Sequence, residues 1–182
     1  MQPIYVQLAD GFEEIEALTV VDVLRRAKLP VITVSIGSTL QVTGSHQISV
    51  VADTLFKDVD FSVGAMIVLP GGMPGAKNLN EHAGLRTVIL EYATKGKYLA
   101  AICAAPLVLG SLGLLKGKKA VCYPGFESTL EGAHVTSDSC VVDNHVITAR
   151  GVGAALTFAL EIVRILLGIE IAEKLKTEML VE

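Results

Sequence analysis

Cys103 is the residue whose type and position point most directly to chemistry. It follows the apolar run YLAAI (98–102), which reads as a strand, and precedes a helical segment. Ala101 and Ala105 stand two residues before and after it, where a nucleophile at a sharp strand-to-helix turn needs small side chains, and Pro106 suits the first turn of a helix. A helix N-terminus also favours a thiolate over a thiol. The alternative is that Cys103 only packs, because unpaired cysteine is among the most buried residue types.

A glycine pair forms a second candidate element of a site. The segment LPGGMPG (69–75) follows another predicted strand, and adjacent glycines let main-chain N–H groups turn toward a ligand. Gly71 and Gly72 are therefore candidates for an oxyanion hole near Cys103. The alternative is a simple turn, which Pro-Gly-Gly more often marks.

Three glutamates provide the third candidate element, in GFEEIE (11–16) just beyond the first predicted strand. Glu13 and Glu14 are expected to be a solvated helix start, where carboxylates favour the positive end of the helix dipole. Glu16 lies nearer the apolar side of the same helix, so it can reach a site at the strand ends.

The elements that must position these residues alternate between strand and helix. Nearly continuous apolar strands separated by helical periods predict an α/β doubly wound fold, with a mostly parallel sheet, helices on both faces and a late β-hairpin. The predicted strands are 4–8, 31–36, 65–70, 98–102 and 119–123, with two short strands in 41–53 and a hairpin in 139–149 that turns at Asp143-Asn144. The predicted helices are 13–27, 81–95, one after Cys103, 153–167 and 169–180. No linker interrupts them, so residues 1–182 are predicted to form a single domain.

Composition excludes several classes of function. The 182 residues carry a net charge of −4 and 5% aromatic residues, so neither a basic surface nor stacking platforms for nucleic acid are expected. No apolar run reaches the roughly 18 residues that span a bilayer, and no signal-like start is present, so we expect no membrane association and a cytoplasmic location. The three cysteines and four histidines show no metal-ligand spacing, so no metal is expected.

The motifs ADGFEEIEA, VLPGGMPGAKNL, AAICAAP and VITARGVGAALTFALEIV, in this order, resemble the ThiJ/PfpI superfamily, and within it the subfamily of the Parkinson-associated deglycase, the DJ-one-like proteins. The resemblance extends over essentially the whole chain. It implies a flavodoxin-like fold and a homodimer. It also implies that Cys103 is the reactive cysteine, that Glu16 is the acid paired with it, and that Gly72 and Ala104 supply anion-binding amides.

The family's activity is what the resemblance implies for function. It predicts a cofactor-independent, cysteine-dependent glyoxalase or protein deglycase, of the glyoxalase III hydro-lyase or hydrolase type, acting on glyoxal, methylglyoxal or their early protein adducts under oxidative and carbonyl stress. The alternative is a redox-sensing, chaperone-like binding protein whose cysteine oxidises to sulfinate. A third and weaker alternative is a role in thiamine biosynthesis, in thiazole monophosphate formation.

The chain departs from the family pattern at two positions. Human-like members place a histidine near the cysteine where this chain reads CYP (122–124), so Tyr123 occupies that position. An anion-binding arginine of some members is matched by His46 or a neighbour. Tyr123, His46 and His134 are candidates for the pocket edge.

Electrostatics sets a condition on the Cys103–Glu16 pair. Two like charges a few ångströms apart in a pocket of low dielectric raise each other's pKa. A thiolate at Cys103 therefore requires Glu16 to be protonated, and the two groups share one proton.

Overall fold

The computed structural model describes residues 1–181, and the end of the predicted 1–182 domain lies one residue outside this range. The strands are β1 (Ile4–Leu8), β2 (Val31–Ser35), β3 (Gln41–Thr43), β4 (Ser49–Val51), β5 (Thr54–Leu55), β6 (Met66–Leu69), β7 (Tyr98–Ile102), β8 (Lys119–Ala120), β9 (His134–Val135), β10 (Cys140–Asp143) and β11 (Val146–Ala149). The helices are α1 (Glu14–Arg26), α2 (Gly75–Glu81), α3 (Ala83–Thr94), α4 (Pro106–Ser111), α5 (Ala155–Leu167) and α6 (Ile169–Glu178).

A seven-stranded sheet forms the centre of the molecule, in the order β10-β11-β7-β6-β1-β2-β5. Its strands pair in parallel except at one edge, where β10 runs antiparallel to β11. The predicted mostly parallel sheet with a late hairpin is therefore confirmed. The carboxyl ends of β1, β6, β7 and β11 meet at one side of the sheet, which is where open α/β sheets bind ligands.

Each face of the sheet packs against its own set of helices. Alternate residues of β1 divide between them: Ile4, Val6 and Leu8 join the core formed with α1 and α5, whereas Tyr5 joins the core formed with α2, α3 and α4. Every residue of β1 is buried, as expected for a strand covered on both faces. The longest helices, α1 and α5, have 13 residues each, and none within residues 1–181 has the length and hydrophobicity of a membrane span.

Three local predictions need correction. The predicted helix 81–95 is α3, which begins at Ala83. A further helix, α2, precedes it and was not predicted because glycine opens it; Ala76 and Leu79 stabilise α2 by packing in the core. The late hairpin turns at Asn144-His145, because Asp143 still pairs with Val146.

The predicted strand 119–123 also ends early, at Ala120. Beyond it the main-chain donors bond to other partners: the Val121 N–H donates to Thr148 Oγ1 at 3.0 Å, and the Tyr123 N–H donates to the Cys103 carbonyl at 2.7 Å. This segment therefore runs toward Cys103 instead of extending a strand ladder.

Candidate active site

Cys103 lies at the elbow between β7 and α4. Its φ of +65° is in the left-handed region that a non-glycine residue rarely adopts. Two main-chain hydrogen bonds hold it there: its N–H donates to the Ala149 carbonyl at 2.9 Å, and its carbonyl accepts from the Tyr123 N–H at 2.7 Å. Ala101 and Ala105 are fully buried around it. The sharp turn predicted from the two alanines is present, and it aims the side chain at the carboxyl ends of the strands.

Glu16 lies directly against Cys103. Its N–H donates to the Glu13 carboxylate at 2.7 Å, so the helix cap fixes the first turn of α1 and turns Glu16 inward. The side chain is 0% exposed. Its Oε2 accepts the Gly71 N–H at 2.9 Å, and its carboxyl group is within hydrogen-bonding reach of the Cys103 thiol. Its Oε1 is buried without any nitrogen or oxygen partner among residues 1–181, an arrangement that suits a protonated carboxyl better than a carboxylate.

The two glycines have different roles from each other. The Gly72 N–H is directed at the Cys103 sulfur together with that of Ala104, whereas the Gly71 N–H bonds to Glu16. The prediction that Gly71 belongs to the anion-binding group is therefore wrong for its N–H, which the acid already occupies. Gly71 is required for another reason: a Cβ there would lie 2.6 Å from both Cys103 Cβ and Glu16 Oε2.

Burial dominates the titration of the pair. Burial raises the pKa of Glu16 to about 7, and the hydrogen bonds from the Cys103 thiol and the Gly71 N–H only partly oppose it. Burial, followed by the negative charge of Glu16, raises the pKa of Cys103 to about 12, and the N–H groups of Gly72 and Ala104 act in the opposite direction. Glu16 therefore raises the pKa of Cys103, as predicted from the like charges, whereas the hydrogen bond from the Cys103 thiol lowers the pKa of Glu16.

The expectation of a thiol with a lowered pKa needs correction. Cys103 is only 8% exposed, and α4 begins three residues later and has only six residues, so desolvation outweighs any help from the helix. An independent thiolate is therefore not the ground state. Glu16 loses its proton first, near pH 7, and the remaining thiol proton is shared across the contact, so a thiolate exists only beside a protonated Glu16.

Glu13 and Glu14 are buried, at 7% and 4% exposure, so the prediction of a solvated helix start is wrong. The Glu14 carboxylate accepts the N–H of His46 at 2.7 Å, and its other oxygen lies 2.8 Å from His46 Nδ1. Burial alone would raise the pKa of Glu14, but the bonds from the His46 ring and from main-chain N–H groups at His46 and Ile48 outweigh it and lower that pKa to about 2. The β3–β4 hairpin folds over α1 and supplies the donors that sequence reasoning could not foresee.

Of the three residues predicted at the pocket edge, one borders a cavity beside Cys103 and two do not. The Tyr123 ring borders a cavity of about 380 Å³ beside Cys103, and a Cβ placed on Gly151 would lie 3.2 Å from Tyr123 Cδ2 and 4.0 Å from the sulfur. His46 is bound to Glu14 instead of reaching the sulfur. His134 is exposed in β9, where it pairs with Lys119 of β8. Lys119 is four residues before Tyr123, and His134 does not line this cavity.

The far wall of the cavity was not predicted. It is formed by Arg150–Ala154, together with Ser139. The sequence position of Arg150–Ala154 could have indicated this wall, because the segment follows the carboxyl end of β11, the parallel neighbour of β7. Cys122 is buried and Cys140 half-buried, and both pack with the apolar side chains of the core.

Comparisons with known proteins agree on one family. The sequence model of the DJ-1/PfpI family matches residues 2–165. Protein DJ-1 homolog B of Arabidopsis thaliana is 40% identical over 169 residues, which are 92% of this chain but 39% of the plant protein, so the chain spans about two fifths of that relative. Glutathione-independent glyoxalase DJR-1.2 of Caenorhabditis elegans is 34% identical over 159 residues, 87% of this chain and 84% of the nematode protein. The solved structure of oxidized Toxoplasma gondii DJ-1 superposes with a TM-score of 0.95 at 36% identity, covering 99% of this chain and 98% of that one.

Proposed function

Because the chain belongs to the DJ-1/PfpI family, we propose that it is a cofactor-independent glyoxalase that uses Cys103 to convert small dicarbonyls into hydroxy acids, and a deglycase of their early protein adducts. The observation that carries the proposal is the buried contact of Glu16 with Cys103, at a sulfur toward which two main-chain N–H groups point. The nematode relative named as a glutathione-independent glyoxalase supports the first activity.

The first step forms a bond to sulfur. The Cys103 thiol proton passes to the Glu16 carboxylate as the sulfur attacks the aldehyde carbon of methylglyoxal. The electron pair of the carbonyl moves to its oxygen, which takes the proton from Glu16 and gives a hemithioacetal, so the carboxylate is restored. The N–H groups of Gly72 and Ala104, which point at the sulfur, stabilise the negative charge that develops beside it.

The second step moves a proton between neighbouring carbons. The Glu16 carboxylate takes the proton from the former aldehyde carbon to give an enediolate and returns it to the next carbon. The hydroxyl proton of the former aldehyde carbon moves to the neighbouring oxygen, which gives a thioester of a 2-hydroxy acid. Water then cleaves the thioester, releasing lactate and restoring the thiol. The aldehyde carbon is oxidised and the ketone carbon reduced within one molecule, so only water is consumed. A carboxyl group whose pKa lies near 7 can both accept and return the proton.

Formation of lactate from methylglyoxal tests the proposal. The wild-type protein is expected to produce many equivalents of lactate per molecule, and Cys103→Ser none above the uncatalysed rate. Cys140→Ser removes a thiol outside the site and serves as the matched control. Wild-type turnover in Cys103→Ser would refute the role of the sulfur.

A second candidate function is redox sensing at the same sulfur. The N–H groups of Gly72 and Ala104 and a protonated Glu16 would also hold the oxygens of a sulfinate formed at Cys103. The two functions differ in stoichiometry, because a sensor is modified once and an enzyme turns over. Mass spectrometry of Cys103 after mild peroxide, beside the lactate assay, separates them.

We also propose that the protein is a homodimer. Apolar side chains are exposed on α1, at Ile15 and Leu18, and on the adjacent β3–β4 hairpin, at Ile48 and Val51, with exposures of 40–74%. The two elements are joined, since the Ile48 N–H reaches Glu14. A continuous apolar surface of this kind suits a second copy of the chain.

A further inference from the structure

The cavity beside Cys103 is bordered by a positively charged side chain that has no role in the proposed conversion of methylglyoxal. Among residues 1–181, Arg150 is the one charged residue that lines this cavity. The other arginines within residues 1–181 are engaged: Arg25, Arg26 and Arg164 form ion pairs with carboxylates, and Arg86 bonds to the side chains of Asn80 and Ser111. The exposed Arg150 guanidinium has no carboxylate within 4.0 Å in this part of the chain.

The position of Arg150 links it to the reacting sulfur. Its own N–H donates to the Ser139 carbonyl at 3.0 Å, which fixes the start of the wall between β10 and β11. The next residue, Gly151, lies close to the Cys103 sulfur, because a Cβ on Gly151 would be 4.0 Å from that sulfur. Gly151 lines the cavity and also faces the sulfur, so we expect a molecule that is bonded to the sulfur and passes Gly151 to extend into the space that Arg150 borders.

No other cation is available for this purpose on the described surface of the site. The imidazole of His46 is held by the Glu14 carboxylate, which lies 2.8 Å from its Nδ1. The remaining lining of the cavity is neutral: Tyr123, Pro124, Ser139, Gly151, Val152, Gly153 and Ala154. A single guanidinium in neutral surroundings binds a carboxylate well, because its donors match both oxygens.

The size of the cavity points in the same direction. At about 380 Å³ it is within the range of pockets that hold drug-sized ligands, whereas methylglyoxal has only five non-hydrogen atoms. Methylglyoxal alone would leave most of this space, and Arg150, without a partner. A larger substrate that ends in an anion would use both.

We propose that Arg150 binds a carboxylate of the substrate, so that the preferred substrates are dicarbonyls or early carbonyl adducts that carry a carboxylate on the side away from the reacting carbon. This inference rests on the proposed function for its substrate, but the binding of a carboxylate next to the sulfur can be measured without turnover.

Alkylation of Cys103 provides that measurement. N-iodoacetylglycine and N-iodoacetylglycine amide attack the same sulfur and differ in one group, a carboxylate in place of an amide at the end away from the reacting carbon. The ratio of the two rate constants, carboxylate reagent over amide reagent, is expected to fall about threefold in Arg150→Met, the size of effect typical of an exposed ion pair. Arg150→Lys, which keeps the charge but loses the planar fork, is expected to lie between the two.

Lys119→Met is the matched control, since it removes one exposed positive charge from the segment that leads to Tyr123 but lies outside the cavity. It is expected to leave the ratio at its wild-type value. A ratio that is equal in the wild type and Arg150→Met, or that falls as far in Lys119→Met, would overturn the proposal.

Turnover provides the second measurement. The adducts of methylglyoxal with N-acetylcysteine and with N-acetylcysteine amide differ only in the carboxylate. The ratio of kcat/KM for the carboxylate adduct to kcat/KM for the amide adduct is expected to fall several-fold in Arg150→Met. The fall is expected to come from a higher KM for the carboxylate adduct, with kcat unchanged. If the wild type turns over neither adduct, the proposed function fails, and the alkylation ratio still decides whether Arg150 binds a carboxylate.

Discussion

The main-chain N–H of Gly71 donates a 2.9 Å hydrogen bond to Glu16 Oε2, and this contact places the acid of α1 against the cysteine that follows β7. Three segments that are distant in sequence meet at this point, where the carboxyl ends of neighbouring parallel strands converge. The other carboxyl oxygen, Glu16 Oε1, has no N–H or O–H donor in the described part of the chain, which favours the protonated acid. The chemistry of the site therefore depends on a carboxyl group that ionises only near neutral pH.

Gly71→Ala is expected to abolish turnover and to destabilise the protein. The added methyl group would lie 2.6 Å from both Cys103 Cβ and Glu16 Oε2, so the pair must separate. Overpacking of this kind costs about 1–3 kcal/mol of unfolding free energy. Urea denaturation and the lactate assay measure the two effects.

Gly37→Ala is the control for this substitution, because its nearest neighbour, Ser35 Oγ, would be 3.5 Å from the new Cβ. It should preserve both properties. A Gly71→Ala protein with wild-type turnover would show that the contact of Glu16 with Cys103 is not needed.

Glu16→Gln is expected to stabilise the protein at alkaline pH. The pKa of Glu16 is raised from 4.5 to about 7, so between these values the folded state holds a proton that the unfolded state has lost, and wild-type stability falls as the pH rises. Between pH 4.5 and about 7 the wild type loses about 3 kcal/mol of unfolding free energy in this way. Glutamine remains neutral and avoids this loss.

Urea denaturation of both proteins at a series of pH values measures the effect. The difference in unfolding free energy between the proteins is expected to increase from pH 4.5 to about 7 and then to remain level. A difference that does not change with pH would mean that Glu16 titrates normally in the folded protein.

Alkylation of Cys103 by iodoacetamide is expected to accelerate as the pH rises through about 7. Ionisation of the pair begins at Glu16, and in the singly protonated pair the proton can lie on the acid and leave a thiolate. Glu16→Gln removes this step, so the rate should rise only at higher pH, where the buried thiol itself ionises. Rates measured from about pH 5 to about pH 10 test this; the same midpoint in both proteins would exclude a shared proton.

The framework of the fold could be predicted from sequence because its signals are local. The run from Ile4 to Leu8 is apolar throughout, and the helical period after Glu13 indicates α1. The elbow at Cys103 was indicated by the alanines on either side of it. The pairing of Glu16 with Cys103 was expected from the family resemblance, whereas the residues alone indicated only that Glu16 faces the sheet.

The remaining features depend on contacts between distant segments. Glu13 and Glu14 look like a solvated helix start until the β3–β4 hairpin brings His46 over them. The N–H of Gly71 cannot be distinguished from that of Gly72 in a glycine pair, since the choice depends on where Glu16 points. The burial of the Cys103 sulfur depends on the segments that contain Tyr123 and Gly151 packing around it, and no local sequence pattern predicts that packing.

Glu14→Gln is expected to loosen the hairpin and to lower stability at neutral pH. The carboxylate accepts hydrogen bonds from the ring and N–H of His46, and losing its charge costs about 1–3 kcal/mol. Because the pKa of Glu14 is lowered to about 2, the stabilisation is complete above its ordinary value of 4.5 and is lost as the pH falls toward 2. The wild type and Glu14→Gln should therefore converge in acid.

The pKa of His46 is raised by the Glu14 side chain, so the ring contributes stability below its ordinary value of 6.5, and this contribution is lost as the pH rises through the raised value. Hydrogen exchange of residues 44–48 in Glu14→Gln at neutral pH reports the hairpin directly. Unchanged protection there would show that other contacts hold it.

Ile15→Glu is expected to convert a dimer into a monomer. Ile15 is 54% exposed on α1, next to the buried Glu14, and a charge at this point would be desolvated in any interface that covers α1 and the β3–β4 hairpin. Sedimentation equilibrium of the wild type and the variant measures the mass. Leu90→Glu, at a position 42% exposed on α3 across the sheet, is the matched control and should stay dimeric. If both variants sediment as the wild type does, the apolar surface of α1 does not hold two copies together, because a buried glutamate without a partner would have separated them.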